Sequence, residues 1–238
     1  MNIKSKTTFY ASIIIALIGG ILILCDNFWW QTKKTIFISI GCSLIASGIV
    51  SILSQYLLEN LYAKDIDEWK IVHIFECRSD KNKESDPQLT KIKERIDGIA
   101  FGLSKWRTNN ETEILNALNR GVNIRLITMN PESSHVQERS IEENQNENLQ
   151  QSINDLINFG IEMNQKSTKG KINIKGYNCM TLDFYWRMDD IVYTGPYLFH
   201  KDSSDTITYK FSKKGKGFDY YSKYFNELWN NPELINLV

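Results

Sequence analysis

Residues 184–202, "FYWRMDDIVYTGPYLFHKD", place an Asp-Asp pair between two runs of aromatic and β-branched residues. Such runs read as strands, and the acidic pair as the turn that joins them. Working outward, "KINIKGY" (171–177) and "TITYKFS" (206–212) read as further strands, and "GFDYYSKYFNELWNN" (217–231) as an aromatic amphipathic helix that closes a core. Upstream, "NETEILNALNRG" (110–121) has Asn110 to cap a helix, Glu113 three residues on and Gly121 to stop it. The apolar "VNIRLITMNP" (122–131) follows as a strand. "IVHIFECR" (71–78) and "GIAFGLSKW" (98–106) also read as strands, "QLTKIKERI" (88–96) as a short helix, and "SDKNKESDP" (79–87) as a polar loop. Strand, helix and strand in that order predict a parallel pair with a right-handed crossover. Within the polar segment 139–166, "LQQSINDLINFGIEM" (149–163) has helical apolar spacing. The expected soluble part is one α/β domain, residues 71–238, with a mixed sheet flanked by helices.

The N-terminus is different. Residues 8–25 and 35–58 carry no charge, and each is long enough to cross a hydrocarbon core of about 30 Å. "DNFWWQTKK" between them suits a membrane interface. A second span so close to the first, with no clear cleavage site before it, favours a transmembrane helical hairpin (residues 1–58) over a cleaved signal peptide. Residues 59–70 continue it as a helical stalk. Lys4, Lys6, Lys64 and Lys70 against Lys33 and Lys34 favour both termini in the cytoplasm, in a bacterial inner membrane.

In the second span Ser39, Ser43, Ser47, Ser51 and Ser54 share an arc of about 120°, with Gln55 beside it, at about 100° per residue. This face either packs on a neighbouring helix through small residues, with Ser12, Ala16 and Gly20 as the partner surface, or lines a water-filled pore in a homo-oligomer.

Lys plus Arg equals Asp plus Glu at 28 each, so no global field gathers nucleic acid and any anion site must be local. The four cysteines lack CxxC spacing, and the three histidines, His73, His135 and His200, are scattered. Neither a disulfide framework nor a metal site is expected, and no cofactor.

"ILNALNRGVNIRLITMNPES" (114–133), "INIKGY" (172–177) and "DDIVYTGPYL" (189–198), taken in order, resemble half of the phospholipase D superfamily over roughly residues 95–230. "RLITMNPESSHVQER", "DDIVYTGPY" and "FNELW" are similar to a degenerate, phospholipase D-like branch. In that superfamily a histidine attacks phosphorus, a lysine two residues on binds phosphate, and an aspartate lies seven residues after the histidine. Counting back from Asp189 reaches Leu182 and Phe184; from Asp190, Asp183 and Tyr185. Neither register supplies the histidine or the lysine, and the literal His200-Lys201-Asp202 has the wrong spacing. A phosphohistidine route needs an imidazole nucleophile, so the domain is expected to be no enzyme.

What the resemblance leaves is a phosphate pocket, with Arg187, Tyr185, Arg139, Arg107 and Lys105 expected around it. Arginine forks bind phosphate bidentately and aromatics stack bases. The bland alternative for Arg187 is an ion pair with Asp189 or Asp190, and Tyr193 and Tyr197 are expected in the core. The whole architecture resembles membrane effectors of nucleotide-signalled anti-phage defence, in which a cytosolic domain senses a nucleotide or short oligonucleotide and a hairpin forms a pore. A neighbouring nucleotidyltransferase gene is then expected. The rivals are a membrane-anchored nuclease or phospholipase using His200 or His135, and a scaffold that tethers a partner.

Overall fold

A computed structural model describes the backbone of residues 3–29, 34–142, 149–180 and 183–238, and the side-chain surroundings of 9–24, 38–57, 67–142, 149–180 and 183–238. The turn between the spans, the lysines used for orientation at positions 4, 6, 33, 34 and 64, and Leu182 lie outside those side chains. The chain divides into two compact units, Met1–Asp67 and Glu68–Val238.

The first unit is a pair of helices, α1 (Ile3–Trp29) and the start of α2 (Lys34–Trp69). They meet through small residues. A methyl group added at Gly19 would lie 2.6 Å from the Gly41 carbonyl oxygen, and one at Gly48 would lie 2.9 Å from the Ala16 Cβ and the Ser12 carbonyl oxygen. The Ser12 and Ser51 hydroxyls hydrogen-bond at 2.8 Å. The expected partner surface of Ser12, Ala16 and Gly20 is corrected at its last member: nothing approaches Gly20, and Gly19 takes its place. A strict spacing of four drifts around a helix of 3.6 residues per turn, and 12-16-19 holds one face. Among the described residues, Ile38–Leu57 is long and apolar enough to cross a membrane, at a mean hydropathy of 1.7, while Phe9–Leu24 is apolar but shorter. One such segment is therefore present there, against the two expected.

In the second unit eight strands form one mixed sheet, ordered β1-β7-β6-β5-β2-β3-β4-β8. They are β1 (Ile71–Phe75), β2 (Arg95–Ile99), β3 (Asn123–Met129), β4 (Ile172–Tyr177), β5 (Asp183–Met188), β6 (Ile191–Pro196), β7 (Thr208–Ser212) and β8 (Ile235–Asn236). Strands β2, β3 and β4 run parallel, and the remaining pairings are antiparallel. The strand–helix–strand unit is β2, then α4 (Ser104–Asn109) and α5 (Glu111–Arg120), then β3. Gly121, at φ 100°, ends α5 in the left-handed region. Helices α6 (Ser134–Glu142), α7 (Leu149–Lys166) and α8 (Lys216–Trp229) complete the unit.

Asp189 and Asp190 turn β5 into β6. Asp189 adopts φ 47°, which an acidic residue tolerates in such turns. Its carboxylate accepts the backbone N–H groups of Lys93, Glu94 and Arg95 at 2.8, 2.9 and 3.0 Å. The turn thus also anchors the entry to β2.

Three local expectations are corrected. The "polar loop" at 79–87 is helix α3 (Arg78–Ser85) running into a 3-10 turn, Asp86–Lys91. Its buried residues are Arg78, Lys81 and Ser85, which keep helical spacing but are polar, so no apolar stripe marks the helix. "GIAFGLSKW" is a strand only as far as Ile99, because Leu103 at φ 51° turns the chain into α4. The expected cap of α5 does not form, since the Asn110 side chain donates to Asp86 and to the Trp106 carbonyl instead.

Candidate functional site

Alternation along β5 sends successive side chains to opposite faces of the sheet. Phe184 and Trp186 face α3 and α4, where Trp186 meets Trp106 edge-on at 5.0 Å. Gly98, paired with Trp186 across β2 and β5, leaves room for the indole: a methyl group there would lie 2.7 Å from the ring. Tyr185 and Arg187 face α8. Tyr185 stacks on Phe225 at 5.1 Å, and the Arg187 guanidinium lies 4.9 Å from the Phe218 ring.

A cleft of about 410 Å³ opens on the first of these faces. It lies past the carboxyl ends of the parallel strands, where open α/β sheets bind ligands. Ala100 to Trp106, α3, α7 and the segment after β6 supply its walls. Three cations line it, Arg78, Lys81 and Lys105, with Asp202 as the one acid among the described lining residues. Arg78 and Lys81 are 6% and 3% exposed. The Arg78 guanidinium lies 4.1 Å from the Phe184 ring centre and 4.7 Å from that of Tyr197, and donates to Thr206 Oγ1 at 2.9 Å. Lys81 Nζ lies 5.3, 5.2 and 5.1 Å from the rings of Phe184, Trp186 and Tyr193. Burial lowers its amine to about 7, with Asp86 opposing that fall and Arg78 adding to it. Asp202 is held below the usual carboxylate range, first by the Ser204 backbone N–H and more weakly by Lys105 and Arg78.

A second concavity of about 480 Å³ sits at the amino ends of β2, β3 and β4, lined by Glu94, Arg95, Asn123, Arg125 and Asn173. Of its two cations, Arg125 is committed, donating to both carboxylate oxygens of the buried Asp97 at 2.6 and 2.9 Å, and Glu94 in the same lining offsets Arg95. The cleft beside β5 is therefore the stronger candidate.

The residues expected from sequence divide three ways. Lys105 lines the cleft. Arg107 and Arg139 brace its wall. Arg107 donates to the Gly102 and Ser152 carbonyls, at 2.9 and 3.5 Å. Arg139 pairs with Glu142 at 3.0 Å, with its guanidinium 5.3 Å from Tyr197 and 5.6 Å from Phe101. Tyr185 and Arg187 are corrected: they are buried on the opposite face and do not reach the cleft. Arg187 does not pair with either acid of the turn, since its Nε donates to the Asp189 carbonyl and Asp190 pairs with Lys213 at 2.7 Å. Burial, with the nearby Asp97, pushes the Tyr185 phenol well up. Tyr193 and Tyr197 are both buried in the core, as expected, and the Tyr197 ring also lines the cleft.

Arg78 and Lys81 are not legible as site residues in the sequence, because their stretch reads as loop. The i, i+3 spacing of two cations beside an apolar strand was the available signal. His200 is exposed at φ 54°, with its Nδ1 3.2 Å from the Glu142 carbonyl, and His135 pairs with Glu138 at 2.8 Å. Neither lines the cleft. In the helical unit, Ser51 faces α1 whereas Ser39, Ser43 and Ser47 are exposed, and the Ser43 and Ser47 hydroxyls donate to carbonyls four residues back. Gln55 is half-buried.

No family model and no curated protein matches the chain. Among the solved structures similar to it are the following two. One is TrmBL2, an archaeal chromatin protein described as showing a novel mode of DNA binding, at 15% identity over 82% of this chain and 67% of that one, with a TM-score of 0.42. The other is NucT from Helicobacter pylori, at 12% identity over 69% of this chain and 97% of that one, with a TM-score of 0.43.

Proposed function

We propose that the α/β unit is a phospholipase D-like receptor without phosphodiesterase activity, and that its cleft takes the phosphate group of a nucleotide or short oligonucleotide. One observation carries this reading: Arg78, Lys81 and Lys105 converge on an aromatic-walled cleft of about 410 Å³ in which Asp202 is the single acid among the described lining residues. Three cations against one acid leave an excess of two positive charges when Lys81 is protonated, and guanidinium and ammonium donors are the usual phosphate ligands. Phe184, at a position where the resemblance would put a phosphate-binding lysine, holds two cations from α3 over its ring instead. The absence of histidine from β5 supports a receptor over an enzyme.

The two helices are read as a membrane hairpin that assembles into a homo-oligomer in a bacterial inner membrane, with the receptor unit in the cytoplasm. Ligand capture would then gate a pore, as in nucleotide-signalled anti-phage defence. The exposed Ser43 and Ser47, whose hydroxyls bond carbonyls one turn back, support a polar outward face suited to oligomer contacts or water.

The test is a thermal-shift screen of the full chain in detergent against nucleotides and short oligonucleotides. A ligand should raise the melting temperature by mass action. Lys105→Glu, an exposed change, should weaken its binding by about tenfold, or ~1.4 kcal/mol. If no phosphate compound shifts the wild type, the receptor reading fails.

A further inference from the structure

Lys81 is buried, yet no carboxylate pairs with it among the described residues; its Nζ donates one hydrogen bond, to Asn82 Oδ1 at 3.2 Å. The groups around it are already engaged. Asp86, in the 3-10 turn that follows α3, accepts from Ser85 and Asn110. Glu84, on α3 itself, pairs with Lys210 of β7, accepts from Tyr193 of β6 and feels His73 of β1. Arg78 is a like charge one turn away, and Asp202 and Lys105 share the cleft. The rings of Phe184, Trp186 and Tyr193 therefore stand where a counter-ion would be. π faces attract a cation without neutralising it, so an incoming anion need displace no protein carboxylate from this amine.

We infer that an anion enters this cleft together with a proton taken from solvent by the Lys81 amine, so that the receptor's affinity falls as pH rises through the neutral range. The inference rests on the binding reading above and names its regulation. With the cleft empty, burial holds the amine near 7, so close to neutral pH a large share is uncharged. An anion beside it favours the ammonium and raises its pKa. Binding and protonation then strengthen one another, because linkage is reciprocal. The bookkeeping is simple: the amine plus one proton gives the ammonium, and nothing else changes covalently.

The experiment uses the full chain in detergent and two probes whose charge is fixed between pH 6 and 9, inorganic sulfate and a dinucleoside phosphodiester. Titration calorimetry at pH 6.5 and pH 8.5, in buffers of different ionisation enthalpy, reads both affinity and protons taken up. An amine titrating at about 7 predicts binding about 25-fold weaker at the higher pH, with proton uptake in between. Lys81→Arg, which keeps its charge throughout, should bind with a flat profile. Wild-type binding that is equally tight at both pH values, or a Lys81→Arg variant as pH-dependent as wild type, overturns the proton coupling and leaves the cleft a receptor. Failure of both probes to bind wild type at pH 6.5 overturns the receptor reading itself. Should Lys81→Arg fail to fold, the wild-type profile and its proton count decide.

Discussion

The Lys81 amine nitrogen lies 5.2 Å from the centre of the Trp186 ring, and Trp186 is itself 2% exposed. A lysine so placed opposes folding. In the unfolded chain it titrates in the ordinary lysine range; in the fold it titrates at about 7. Between those values the unfolded chain binds more protons, so this residue's contribution to stability rises with pH. Below about 7 both states carry the proton and the burial penalty is present in full. Lys81→Met should therefore stabilise the α/β unit most at low pH. Its advantage over wild type should shrink by ~2.5 kcal/mol between pH 6 and pH 9. Urea denaturation of the full chain, followed by tryptophan fluorescence, measures this. A constant difference across the range would mean that the amine stays charged in the fold.

Asp189 joins two otherwise separate features, the left-handed turn and the start of β2. Substitution separates its two roles. Asp189→Gly keeps the turn conformation and loses three hydrogen bonds to a charged acceptor, which should cost about 2–3 kcal/mol because the freed N–H groups are near solvent. Asp189→Ala loses the bonds and must also adopt the left-handed conformation, adding about 1 kcal/mol. Equal losses for the two variants would show that the turn bears no strain.

The same turn was legible in the sequence, and so was most of the sheet. Strands β3, β5, β6 and β7 alternate or run apolar in the ordinary way, and α5, α7 and α8 carry apolar stripes. What stayed hidden is what lacks an apolar signal. Helix α3 buries Arg78, Lys81 and Ser85, so its inward face looks like a solvated loop. Arg187 and Tyr185 drew attention through residue type, but strand alternation turns them toward α8, and sequence does not say which face of a central strand holds a cleft. β8 is two residues long, and its pairing with β4 depends on where α8 ends.

Gly102 sits where the loop after β2 passes α7. A methyl group there would lie 1.9 Å from Ser152 Oγ, 2.6 Å from its Cβ and 2.8 Å from its backbone carbon. Side-chain rotation relieves the first contact but not the others. Gly102→Ala should destabilise the unit by about 1–3 kcal/mol as α7 is pushed outward. The pairing of Gly102→Ala with Ser152→Ala should recover only part of that loss. Both residues line the cleft, so ligand affinity should fall with stability in the single variant. A neutral Gly102→Ala would show that α7 moves freely at this wall.

The serines of α2 fall into two groups that respond differently to change. Ser51 bonds Ser12 across the helix pair, and Gly41 and Gly48 admit α1 at distances that leave no room for a side chain. Ser39, Ser43 and Ser47 are exposed and turned away from that contact. Gly48→Leu should therefore separate the two helices. Ser51→Ala should weaken their pairing by only ~0.6 kcal/mol, the mean for one interhelical hydrogen bond in a membrane. Ser47→Ala should leave the pair untouched. If the hairpin forms a pore, that same Ser47→Ala change removes a hydroxyl from a wet ring and favours dewetting, so ion flux should drop while oligomer size holds. Cysteine substitution reads the faces directly, with native Cys25 and Cys42 first replaced by alanine. Positions 39, 43 and 47 should react with water-soluble thiol reagents in the ligand-bound protein in lipid vesicles, and positions 48 and 51 should stay protected. Protection of all five would bury the outward serines against another helix and make the hairpin an anchor, not a channel.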